Sequence, residues 1–258
     1  MSEDNSHYSI KRVEAQVPLG HEVLRFNAEI SDQPVQIHDL LPLFQDITNR
    51  VISVAIQTVE ANGERISCGS GCGACCSQLV PISRAEGYAL LALVARLPDE
   101  RQHRVRLRFE QNLARFNESG LNRDLERAFR ENDRSLLRKV GLDYFNLNLP
   151  CPFLEDQSCS IHPERPISCR EFLVVSDPGH CSKPTPETIR KVALPAQVSK
   201  IVYEMCYQHQ EHQRGYLPMT LLYDQATQLR QEYEGRPASE LVSELLARLV
   251  AAAGNAED

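Results

Sequence analysis

Eight of the nine cysteines fall into two short windows, residues 68–76 and 151–181, and this grouping constrains the fold more than any other feature of the chain. Small core thiols would be scattered instead, as Cys206 is, which sits beside Met205 and four residues after Val202 on a helical pattern and is assigned to the core. The first window reads Cys68-Gly-Ser-Gly-Cys72-Gly-Ala-Cys75-Cys76, where the glycines let the backbone turn back so that several sulfurs can converge. The second holds Cys151, Cys159, Cys169 and Cys181 among Pro150, Pro152, Pro163, Pro166, Pro178 and Pro184, which exclude long regular elements from residues 141–184. Such a segment needs another source of order, and thiolate ligation of a metal is one. All eight clustered cysteines are therefore candidate ligands, provided the two windows meet in space.

Compartment and charge support this reading. The first residues, Met1-Ser-Glu-Asp-Asn-Ser, have neither a basic start nor an apolar run, and no apolar stretch is long enough to cross a bilayer. A soluble, cytoplasmic protein without membrane partners is expected, and there reduced thiols favour metal or redox chemistry over disulfides. With 28 Lys+Arg against 35 Asp+Glu, the formal charge of −7 leaves no broad basic surface for nucleic acid. The arginine-rich stretch at residues 96–115 reads as the solvated face of an amphipathic helix.

The rest of the chain predicts a mainly α fold, with an irregular Cys/Pro-rich segment and a short N-terminal β-hairpin. Val13, Ala15 and Val17, then Leu24, Phe26, Ala28 and Ile30, alternate around a turn at Pro18-Leu19-Gly20. Apolar residues at helical spacing predict a helix over 39–61, capped by Asp39 and stopped by Asn62-Gly63. Ser83-Arg-Ala-Glu86 has the form of a capping box, and Asp99 would cap the helix after Pro98. Two or three helices are expected between the windows. Beyond them, a helix over 189–212 starting near Thr185-Pro186 and divided at Pro195 is expected, then helices over 220–233 and 239–252. The expected organisation is an extension or hairpin at 1–38, a metal-binding domain at 39–215, and C-terminal helices at 216–258 packing on it.

Two metal chemistries suit the cysteines. Zinc takes four Cys or His ligands, so eight cysteines suffice for two sites or one shared cluster, and iron–sulfur clusters also take four thiolates. Neighbouring side chains diverge, so Cys75 and Cys76 are awkward partners on one tetrahedral ion. The Cys68-x3-Cys72-x2-Cys75 spacing is that of a radical S-adenosylmethionine cluster, but the strand–helix repeats of that fold are not predicted here. His162 and His180 could ligate, support a thiolate, or be solvated loop residues. Arg165 and Arg170 could stabilise thiolates or an anion, or pair with Glu155, Glu164 or Glu171.

The motifs together resemble the YkgJ-type cysteine-cluster family, a zinc- or iron-chelating domain. The resemblance rests on Cys68, Cys72, Cys75 and Cys76, then Cys151-Pro152-Phe153-Leu154, then Cys159, Ile161, His162, Arg165, Pro166, Cys169 and Arg170. His162 stands where many members have tyrosine. The resemblance implies a zinc or iron–sulfur centre. A flagellin lysine N-methylase is similar over the same cysteines, which implies as an alternative a cluster-dependent enzyme using S-adenosylmethionine on a protein substrate. A third reading is an interaction module stapled by its cysteines. No dinucleotide fingerprint, P-loop or serine-hydrolase motif is present.

Overall fold

The structure is a computed structural model that describes residues 8–20, 22–69, 71–185, 187–207, 214–230 and 235–254. It opens on the expected hairpin, in which β1 (Ile10–Leu19) pairs antiparallel with β2 (Glu22–Ser31) from Ile10↔Ser31 to Leu19↔Glu22, so Pro18 and Leu19 belong to the strand and not to the turn expected there. Period-two alternation buries Val13 and Val17 on one face. After β3 (Pro34–Val35), a tight helical turn, Ile37–Leu40, leads into α1 (Leu41–Ala61). Asp39 does not cap α1. Its carboxylate accepts the Gln36 N–H at 2.8 Å and so closes the preceding turn.

β4 (Pro81–Ser83) runs into α2 (Arg84–Ala95), whose capping box forms as expected. Ser83 Oγ accepts the Glu86 N–H at 3.1 Å while Glu86 Oε2 accepts the Ser83 N–H at 2.7 Å. In α3 (Asp99–Glu118) the cap is Pro98, and Asp99 is the first helical residue, where its charge suits the positive end of the helix. The interval between the windows holds four helices, more than expected. Asn132 adopts a left-handed conformation (φ 52°) and Asp133 caps a new start, which separates α4 (Leu121–Glu131) from α5 (Arg134–Asn146). α5 also extends into residues expected to be irregular, since the first interrupting proline is Pro150.

The irregular stretch proper holds β5 (Leu154–Glu155), β6 (Ser158–Cys159) and the short α6 (Ile167–Glu171). The long helix expected from residue 189 begins only at α7 (Val198–Met205). Residues before it are extended: the Val192 N–H donates to Leu173 O at 2.9 Å and the Val175 N–H to Arg190 O at 3.0 Å. Thr185 forms a local turn with Thr188 instead of starting a helix. The remainder of that expected helix, residues 208–212, lies outside the described residues. β7 (Tyr216–Pro218) and a tight turn at Met219–Leu221 precede α8 (Ala226–Leu229), so only a fragment of the helix expected over 220–233 forms, and residues 231–233 lie outside the described set. β8 (Arg236–Pro237) leads into α9 (Ala238–Gly254), which covers the expected 239–252.

Two hydrophobic clusters meet at α2. One joins the hairpin, α1, α7 and α9 through residues such as Val17, Phe44, Ile47, Val202 and Leu245, and it includes Cys206 as expected. The other joins α3, α4 and α5 through Phe109, Phe116, Leu125 and Tyr144. Ala85 of α2 faces the first, while Leu90, Leu91 and Val94 face the second. The cysteine-bearing segment is pinned to both, by Ile167 on one side and by Phe153 and Ile161 on the other. Each such side chain, fully buried, contributes about 1.5–3 kcal/mol. All strand pairs among the described residues are antiparallel and two-stranded, so no repeated strand–helix units occur among them.

Candidate metal centre

The two cysteine windows meet through their backbones. The Cys151 N–H donates to Cys76 O at 2.6 Å, and the Ser67 N–H donates to Val174 O at 2.9 Å, so the first loop is stitched to the second at both ends. Between these points the first loop lies against the β5–β6 hairpin, whose turn residues Asp156 and Gln157 both have positive φ, as a tight two-residue hairpin requires. Gly73 makes that approach possible: a Cβ there would lie 2.8 Å from Leu154 Cδ1 and 3.1 Å from Gln157 O. Gly73→Ala is therefore expected to push the windows apart at a cost of about 1–3 kcal/mol. The check is metal retention against a competing chelator, which should weaken while far-ultraviolet circular dichroism stays native; unchanged retention would contradict this close approach.

Cys169 is positioned by α6, and α6 is held by two buried carboxylates. Glu86 Oε1 accepts the Ile167 N–H at 2.7 Å, tying the start of α6 to the start of α2. Glu171, at the end of α6, accepts the Ser199 N–H at 3.1 Å and also the Ser199 hydroxyl, tying α6 to α7. Burial pushes both carboxyl groups above the usual carboxylate range. Arg170 braces the same segment, donating to Arg165 O at 3.1 Å, to Asn49 Oδ1 at 3.2 Å and to Pro163 O. Neither Arg170 nor Arg165 pairs with Glu155, Glu164 or Glu171 among the described residues, and Glu155 lies instead 3.5 Å from Arg101.

Six of the cysteines, Cys72, Cys75, Cys76, Cys151, Cys159 and Cys169, line one cavity of about 450 Å3. Cys68 and Cys181 lie outside its lining; burial raises both thiols, and negative charge on Cys75 or Cys72 opposes their ionisation further. Burial likewise raises Cys151, Cys159 and Cys169, and charge on Cys75 adds to it. Charge on Cys75 thus bears on two sets of thiols, two neighbourhoods in the electrostatic sense, one with Cys68, Cys72 and Cys181 and one with Cys151, Cys159 and Cys169.

Hydrogen bonding with Cys76, then burial, raises the Cys75 thiol far above its usual range. Burial pushes Cys151 up to about 12, Cys181 to about 11, and Cys169 well above the ordinary thiol value. Among the described residues, no three Cys, His, Asp or Glu side chains are already drawn into a coordination shell. The donors nonetheless fit a thiophilic ion: soft sulfurs from both windows line one cavity, and a bound cation would reverse the raised thiol values by favouring thiolate. His162 also lines the cavity, its pKa lowered first by the nearby Arg165 and then by burial, whereas His180 lies in the exposed turn Pro178–Ser182 and not in the lining.

The rest of the cavity lining was not foreseen. It is formed by Phe172, Leu173, Val192, Leu194, Lys200 and Tyr203, among others. The sequence signal that could have found it is the alternation Lys191-Val192-Ala193-Leu194 before Pro195, which suits an extended strand better than a helix.

A family model, CxxCxxCC, described as a "Putative zinc- or iron-chelating domain", matches residues 67–192, a span that contains all eight clustered cysteines. The match covers just under half of the chain, and over those residues the chain is similar to the CxxCxxCC family. No curated protein and no solved structure matches the chain.

Proposed function

We propose that the protein is a metal-binding protein that holds zinc or an iron–sulfur centre through ligands drawn from Cys68, Cys72, Cys75, Cys76, Cys151, Cys159, Cys169 and Cys181. The observation that carries this reading is the convergence of six cysteines from both windows on one cavity. The two neighbourhoods around Cys75 favour two adjacent centres or one shared cluster, with Cys75 and Cys76 at the junction. A bound zinc would order the proline-rich segment, and an iron centre would add electron transfer. The residues' own contribution is to bring thiols to one cavity, with Glu86, Glu171 and Arg170 holding the segment that carries Cys169. A reducing cytoplasm suits such thiols. The second reading, a cluster-dependent protein lysine N-methylase using S-adenosylmethionine, is favoured by one feature, the open cavity beside the cysteines.

Protonation supplies the test. The folded protein holds protons on thiols whose pKa values are raised, so a metal must displace them, and its affinity should rise with pH. In the metal-free protein the stabilising contribution of these thiols is fully present below the ordinary value of 9.0, and it is lost as pH rises through about 11 for Cys181 and about 12 for Cys151. Calorimetric titration of zinc into metal-free protein at neutral pH, in buffers of different ionisation enthalpy, should show roughly one proton released per ligating thiol. Binding without proton release would contradict thiolate ligation.

A further inference from the structure

We propose that the cavity beside the cysteines is also a binding site for a small organic anion with an apolar body, whose negative group is met by Arg165, Lys191 and Lys200. This goes beyond metal binding and depends on no particular metal.

Charge and partnering carry the inference. In a chain of net charge −7, three cations line this one cavity, and among the described residues none of them forms an ion pair. Nearby cations outside the lining are engaged: Arg190 reaches Glu64 at 2.6 Å and Arg248 reaches Glu204 at 2.8 Å. The one carboxylate among the described lining residues, Glu171, already accepts both the N–H and the hydroxyl of Ser199, so it is not directed at the cations. Arg165 Nε is shielded from solvent and has no acceptor among the described residues. A sheltered guanidinium donor without an acceptor is costly, and an incoming oxyanion is the group that best satisfies it.

The remaining wall fixes the rest of the ligand. Val80, Phe153, Ile161, Leu173, Val192 and Leu194 offer an apolar surface, and Lys191 Nζ lies 4.8 Å from the centre of the Phe172 ring, at the edge of that surface. The volume, about 450 Å3, is that of a small-molecule site. A bare inorganic anion would leave the apolar wall uncovered, and a neutral hydrocarbon would leave the cations unmet.

The probe is octanoate, titrated calorimetrically into the protein as purified with its metal, beside octan-1-ol and octylamine. Saturable one-to-one binding of octanoate is expected, with both comparators at least about tenfold weaker, as loss of a charge-assisted contact implies. The variant Lys191→Gln with Lys200→Gln, on the exposed rim, should weaken octanoate by a similar factor at unchanged metal content, and Arg165→Gln should do so too. Absence of saturable binding, equal binding of octylamine, or full affinity in both variants would overturn the assignment. Metal measured in the same samples separates the two proposals: metal-replete protein that ignores octanoate removes this inference alone, whereas metal-free purified protein that binds octanoate upholds it and removes the metal reading.

Discussion

Cys75→Ser is expected to strip the protein of tightly held metal. Cys75 lies at the junction of both cysteine neighbourhoods and shares a hydrogen bond with Cys76, so no other single sulfur bears on as many of the rest. A complete structural zinc set is worth about 10–16 kcal/mol, so losing one of four thiolates costs about 3–4 kcal/mol, on the order of a hundredfold or more in affinity. Competition with a chromophoric chelator measures that loss. Cys206→Ser is the control: Cys206 is packed in the cluster of α1, α7 and α9, away from the cavity, and its replacement should leave metal stoichiometry unchanged. Full metal retention by Cys75→Ser would place the binding elsewhere.

The largest loss of fold stability is expected from Glu86→Ala. Glu86 is 3% exposed, and its two oxygens accept from the Ser83 N–H, the Ser83 hydroxyl and the Ile167 N–H, all at 2.7 Å. Alanine would orphan those donors in a buried setting, at a cost of about 3–5 kcal/mol. The same change frees the start of α6 and therefore Cys169, so metal retention should fall with stability. Urea denaturation should show a lowered midpoint at unchanged slope. Glu86→Gln keeps one acceptor oxygen and the side-chain volume, and it should cost less. A shift below about 1 kcal/mol for Glu86→Ala would mean that α6 is held by Arg170 and Glu171 without it.

Features governed by local chemistry were legible in the sequence. The hairpin declared itself by alternation on both sides of Gly20, and α2 by a capping box whose reciprocal bonds form as the spacing requires. The cysteine windows were legible as groups because clustering itself carries information. Their junction was not, since the Cys151 N–H to Cys76 O bond and the Gly73 approach depend on four intervening helices folding back, which no local pattern encodes. The expected helix from residue 189 failed because an apolar run beside Pro195 satisfies helical spacing and strand alternation alike, and pairing with Leu173 and Val175 decided it. Glu171 reads in sequence as a partner for arginine, yet its position at the end of α6, against the start of α7, commits it to Ser199.

The most direct measurement is the metal and acid-labile sulfide content of protein purified without oxygen, with its absorption spectrum, compared with a Cys72→Ser, Cys75→Ser variant. Stoichiometric zinc, or iron with sulfide and a visible absorption band, lost in the variant, is the predicted result. Protein free of zinc and iron, or a variant that keeps its metal, would contradict the central claim.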